Sequence, residues 1–247
     1  MIKTYIRLGK WTDRDLDRIL NESSLIHDIG KRIDFLSRQF LGLTYTESTL
    51  IGDSNTPEIF VINLEGVDCF TFAEYIEAMQ LSNSFQDFKN LLIEIRYKSG
   101  DITFINRNHF FTDWVEFNAK FIDDVTEKTG LEKTIKVQKL LNEKEDKTFF
   151  VPGIKPAMRE IRYISSENVD EAVLNGLNLG DYIGIYSHLE GLDVSHVGIF
   201  IRDNEKVLLR HASSASKNRK VIDEDFMEYI TDKPGIIVLR PKDILQK

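Results

Sequence analysis

The chain is poor in the residues that staple, break or anchor a protein. It has one cysteine, five prolines and fourteen glycines in 247 residues. A single thiol excludes an internal disulfide framework and any cysteine-rich zinc site. No Pro/Gly/Ser-rich linker divides the chain, and no repeat or low-complexity segment interrupts it. No apolar run approaches the roughly 20 residues of a membrane span. Met1–Lys10 lacks an apolar stretch of the signal-peptide kind. Basic charge is short as well: 32 Lys and Arg stand against 40 Asp and Glu, a net charge of −8. That balance argues against non-specific nucleic-acid binding and against docking on anionic lipid.

What is present suits a folded globule. At 42% hydrophobic and 11% aromatic, the chain can bury a sizeable core. We read one domain over 1–247. Thr12 followed by Asp15 reads as a helix cap, with Leu16, Ile19 and Leu20 behind it. Ser24 starts a second helix, whose stripe Ile26, Ile29, Ile33, Leu36, Phe40 ends at Gly42. Ile59–Leu64 has strand length, and Glu65-Gly66 breaks it. From Asp68 the pattern turns helical, with Phe72, Ile76 and Met79 on one side. Phe85, Phe88, Leu92 and Ile95 mark another helix, stopped by Ser99-Gly100. Trp114, Phe117, Phe121 and Val125 fit one helix, Thr148–Val151 a strand, and Glu167–Leu177 a short helix. Asp181–Tyr186, Ser195–Ile201 and Val207–Ala212 read as three strands. A helix over Asp223–Ile230 and a last strand over Gly235–Leu239 close the chain. Helices first and an antiparallel meander later is an α+β order.

Two features carry chemistry. Cys69 falls at the start of a predicted helix, where unpaired N–H groups and the helix dipole favour the thiolate. A lone cysteine is also often a small buried hydrophobe. His196 and His211 fall on neighbouring strands. A two-residue turn at Asp203-Asn204 places Arg202 opposite Glu205 and the two imidazoles directly opposite each other. Moving the turn one residue along makes them diagonal neighbours on the same face. One imidazole can then act as base for a thiol, and the other can orient it. A cross-strand pair without chemistry, or half a metal site, fits the same spacing.

Five segments resemble the NlpC-type, papain-like cell-wall cysteine hydrolases, in that family's order. They are Leu41–Tyr45, Val67–Phe72, Leu179–Tyr182, Ser195–Phe200 and Leu209–Ser213. Val67–Phe72 with Glu74, Arg107–Phe110 followed by Asp113-Trp114, and Arg210–Ser214 are similar to one branch. That branch holds the bacterial N-acetylmuramoyl-L-alanine amidases formerly grouped as a domain of unknown function.

The resemblance implies an α+β fold with a papain-like core, a nucleophile-bearing helix packed on an antiparallel sheet. Around it, 1–40 would be a helical N-terminal elaboration and about 101–165 an insertion, all in a single catalytic domain. It implies Cys69 as nucleophile, His196 as general base, His211 as orienting residue and Tyr45 beside the oxyanion. Thr44 stands where the family has Pro. Arg107, Asn108 and His109 would contact substrate by likeness to the branch, with Asp68 at the same cleft. Arg107 or Arg210 would bind the substrate's carboxylates. The implied partner is peptidoglycan or a muropeptide, acted on by a monomer with no cofactor, no metal, no nucleic acid and no membrane insertion. The cell envelope is the implied location, and the missing signal stretch keeps the cytoplasm open.

Rival readings share some of these residues. An endopeptidase cutting within the stem peptide would use the same Cys/His set. A zinc amidase would draw ligands from His109, His188, His196 and His211, though no His-Glu-x-x-His spacing supports it. A non-catalytic wall-binding module needs none of them. A glycosidase would pair Asp68 with Glu74, or Glu74 with Glu77, which solvation on a helix face explains more simply. His27 and His188 have no assigned role.

Overall fold

The computed structural model describes residues 3–204 and 206–244. β1 (Thr4–Arg7) opens the chain, so 1–40 is not purely helical. α1 (Asp13–Ser24) follows with a complete capping box. Thr12 Oγ1 accepts the Asp15 N–H, and the Asp15 carboxylate takes the Thr12 N–H. Ser24 ends this helix instead of starting the next. α2 is Ile29–Arg38, and Asp28 caps it by accepting the Lys31 N–H at 2.8 Å. In the link between the helices only Ile26 is part-buried, so the apolar stripe from Ile26 onward joins one link residue to the face of α2.

β2 (Thr44–Tyr45), β3 (Phe60–Asn63) and β4 (Gly66–Val67) lead into α3 (Cys69–Gln80), which packs on α4 (Phe85–Arg96). β1 and β3 form a two-stranded parallel sheet. Gly66 lets β4 lie against β2, because a Cβ there would stand 2.2 Å from Thr46 Oγ1.

The stretch after α4 departs most from the sequence reading. α5 (Asp113–Phe117) stops early, and β5 (Ile122–Asp124) and α6 (Thr126–Gly130) follow. The stripe from Trp114 to Val125 is therefore not one helix. The buried Asn118 amide donates to Ile95 O at 2.7 Å and turns the chain out of the helix. β6 (Thr134–Leu141) and β7 (Ala157–Ser165) form a long hairpin that the sequence did not announce. Thr148–Val151 is no strand; Asp146 accepts the Thr148 N–H in a turn, and one isolated bridge joins Glu143 to Phe149.

The last third holds α7 (Glu171–Gly176), β8 (Tyr182–Tyr186), β9 (Val194–Asp203), β10 (Lys206–Ser213), β11 (Lys220–Asp225), α8 (Phe226–Ile230) and β12 (Gly235–Pro241). Residues 223–225 belong to β11, so the expected final helix starts only at Phe226.

The large sheet runs β4-β2-β11-β10-β9-β8-β12-β7-β6, with β5 pairing β12. Its pairs are antiparallel except β2 with β4. Side chains alternate along the central strands, and so do the cores. Tyr182, Val197, Ile199, Ile237 and Leu239 join the core with α1–α4. Ile183, Ile185, Phe200, Ile236 and Val238 join a second core with α7 and α8. The result is a mixed α+β fold in which α3 lies buried against β9 and β10. Among the described residues no helix is long and apolar enough to cross a membrane.

Candidate active site

Cys69 is the first residue of α3, as expected. Asp68 caps the helix: one carboxylate oxygen accepts the Thr71 N–H at 2.7 Å and the Thr71 hydroxyl at 2.9 Å. Asp68 therefore serves the helix start first. The backbone N–H groups of Val197, Cys69 and Phe70 all favour a negative sulfur. Burial outweighs them. It pushes the part-exposed Cys69 thiol up to about 12, and Asp68 pushes the same way. The lowered thiol pKa expected of a helix N-terminus is thus absent here, because desolvation beats a few N–H dipoles. The sulfur is protonated at neutral pH.

His196 lies one residue before Val197, whose backbone N–H reaches the sulfur. His196 Nε2 is 2.6 Å from His211 Nδ1, and His211 Nε2 is 2.7 Å from Glu224 Oε2. Donor logic fixes the proton positions along this chain. An ionised Glu224 can only accept, so His211 Nε2 carries a proton. Neutral His211 then offers its Nδ1 lone pair to an N–H from His196 Nε2. His196 Nδ1 is then left unprotonated. Burial and the neighbouring His211 depress His196 to about 3, so this imidazole stays neutral across physiological pH. Burial also lowers His211, against the pull of Glu224.

The hairpin register explains the contact. Val207 pairs with Arg202 and Lys206 with Asp203. The turn sits one residue later than Asp203-Asn204, and Asn204 takes its positive φ of 55°. His196 and His211 are therefore diagonal neighbours on one face, not direct opposites. The expected Arg202–Glu205 pairing is replaced by Arg202–Val207; Glu205 itself lies outside the described residues.

Aromatic rings frame the group. Tyr229 on α8 lies 4.9 Å from the His211 ring and 6.1 Å from the His196 ring. Burial raises the Tyr229 phenol, Glu224 raises it next, and a charged Cys69 would raise it further. Burial raises Tyr45 as well, with a charged Cys69 as the next cause. Phe70, next to the cysteine, packs on buried Trp114 at 5.5 Å.

Other sequence candidates have different partners. Arg107 pairs with the Glu58 carboxylate and donates to Gly52 O. Asn108 is buried and donates to Ile95 O at 2.8 Å. His109 donates to Phe104 O at 2.7 Å, and burial lowers it to about 4. Arg210 is 1% exposed and bonded to Asp34, Ser37 and Asp223. No hydrogen bond joins these four to Cys69, His196 or His211 among the described residues. His188 is exposed against the Tyr186 ring. Among the described residues no group of three His, Cys, Asp or Glu is arranged to hold a metal ion.

The acidic pairs are not solvated, contrary to the helix-face expectation. Glu74 is 1% exposed and bonds Arg96 at 2.8 Å. Glu77 is fully buried and accepts from the Tyr182 hydroxyl at 3.0 Å. Neither reaches a cleft as a glycosidase carboxylate must.

Sequence reasoning missed Glu224 and Tyr229. Both lie in the segment read as one helix. The β-branched pair Val221-Ile222 was the available strand signal.

The geometry has counterparts among known proteins. The family model of AmiA-like, N-acetylmuramoyl-L-alanine amidase-like proteins matches residues 35–236. A solved Bacteroides uniformis N-acetylmuramoyl-L-alanine amidase is 28% identical, over 87% of this chain and 99% of that one, with a TM-score of 0.73. A Legionella pneumophila protein is 23% identical over 94% of both chains, with a TM-score of 0.78, a likeness of fold. A Bacteroides fragilis protein solved under a provisional xylanase name is 27% identical, over 83% of this chain and 98% of that one, with a TM-score of 0.66. No curated protein matches the sequence significantly. The chain belongs to the AmiA-like, N-acetylmuramoyl-L-alanine amidase-like family.

Proposed function

We propose that this protein is a cysteine N-acetylmuramoyl-L-alanine amidase with a papain-like core, cleaving the amide between the muramic acid lactyl group and L-Ala. The observation that carries this is the hydrogen-bonded Glu224–His211–His196 chain beside the Cys69 helix start, in a chain of this family.

His196 Nδ1 takes the Cys69 proton, and the sulfur attacks the lactyl carbonyl carbon. The oxyanion gathers the backbone N–H groups around Cys69, with the Tyr45 hydroxyl beside them. The C–N bond breaks as His196 returns its proton to the leaving amine. The stem peptide departs with L-Ala at its amino end, and a thioester remains on Cys69. A water molecule, deprotonated by His196, attacks the thioester. The lactyl carboxylic acid leaves, and the proton on His196 returns to sulfur. No step needs a metal or cofactor. Burial of Glu74 and Glu77 and the capping work of Asp68 weigh against glycosidase chemistry under the xylanase name.

Muropeptides of defined structure, incubated with the enzyme and followed by mass, identify the bond. Free stem peptide beginning with L-Ala is the expected product. Fragments cut inside the stem would make the protein an endopeptidase. No cleavage of any muropeptide would leave a wall-binding role.

A further inference from the structure

The protein carries a net charge of −8, yet a stem peptide brings carboxylates of its own. Attraction has to be local. The two guanidiniums that the sequence offers for it, Arg107 and Arg210, are consumed by Glu58 and by Asp34 with Asp223.

Two other cations stand at the cleft with capacity to spare. The Arg219 guanidinium lies 4.9 Å over the Tyr45 ring. Its carbonyl accepts the Tyr45 N–H at 2.9 Å, which fixes it to β2, whose parallel neighbour β4 runs straight into Cys69. Arg219 also holds a left-handed backbone, φ 46°, that an arginine seldom adopts. Its one ion pair, with Glu47 at 3.1 Å, joins side chains 48% and 65% exposed, so water and salt can exchange it.

Lys233 mirrors this arrangement on the imidazole side. Its ammonium lies 5.5 Å over the Tyr229 ring, and it is close enough to His196 to oppose protonation there. Among the described residues no carboxylate pairs with it. Tyr45 and Tyr229 thus each carry a cation on the ring and face the reacting sulfur's charge.

We propose that Arg219 over Tyr45 and Lys233 over Tyr229 form a carboxylate-binding rim, taking free carboxylates of the stem peptide. Naming that ligand rests on the wall-peptide reading above; the rim itself does not. Arg219 supplies a planar donor fork suited to two carboxylate oxygens. Lys233 supplies a point charge.

Because Cys69 is the only thiol, its alkylation reports the local field without any substrate. Rates for anionic iodoacetate and neutral iodoacetamide are compared by intact mass in wild type and in R219Q/K233Q. The iodoacetate-to-iodoacetamide ratio should fall about three- to tenfold in the double variant at low salt, and less in high salt. An unchanged ratio overturns the rim. A second arm uses muropeptides with free or amidated stem carboxylates. R219Q should raise KM for the free acid about tenfold more than for the amide. Equal effects on both overturn the carboxylate assignment. A changed alkylation ratio without any muropeptide cleavage would keep the rim and reject the amidase.

Discussion

In the proposed mechanism the part-exposed Cys69 thiol, pushed up to about 12 by burial, is a poor nucleophile until a neighbouring imidazole removes its proton. The two histidines matter for that reason, and Glu224 makes them a directed chain. With the carboxylate in place, one tautomer is selected at His211 and therefore at His196. Glu224→Gln should lower kcat by about 10–100-fold, part of the 10²–10⁴ that a positioned base supplies, with little change in KM. Glu224 also raises the His211 pKa, so its loss should move the acid limb of the pH–rate profile to lower pH. A merely structural role would lower the amount of folded enzyme and leave that limb in place. Cys69, His196 and His211 were legible in the sequence because a helix start and a hairpin set their positions locally. Glu224 was not, since its contact depends on which strand lies beside β10.

Elements were legible where periodicity and caps agree. Thr12/Asp15 marked one helix start to the residue, and the turn to a helical pattern at Asp68 marked another. β6 and β7 escaped because much of the hairpin is exposed and charged, which erases the alternation a half-buried strand leaves. The reading of α3 failed in another way. It was taken as amphipathic, yet Thr71 to Gln80 are all buried, with helices on one side and the sheet on the other. Its acidic residues are core residues. Burial raises Glu77 from its ordinary 4.5 to about 8, opposed by the Tyr182 and Gln80 hydrogen bonds. A carboxyl raised on folding stabilises the native state fully below about 4.5, and that gain is lost as pH rises through about 8. Wild type should therefore lose urea resistance over this interval relative to Glu77→Gln, whose curve is flatter. Parallel curves for the two proteins would contradict a protonated Glu77.

At the scale of the molecule, a ten-stranded sheet separates two cores, and the chemistry gathers where α3 begins beside β9. The α+β class was legible from the order of helices and strands. The return of β12 beside β8 was not, because pairing between strands about fifty residues apart leaves no local trace. The segment from Arg107 to Asp113 also forms a structural junction. Asp113 accepts from Arg159 on β7, and Thr112 donates to Asp193, which opens the approach to β9 and His196. Thr112 thus helps to hold the approach to the histidine strand. What is joined to Cys69 during turnover decides between the proposed mechanism and its rivals. Enzyme mixed with a muropeptide and quenched in acid should gain, by intact mass, a thioester to the muramyl lactyl group, and the gain should vanish in Cys69→Ala. An adduct bearing stem-peptide residues, or cleavage that persists in Cys69→Ala, would contradict it.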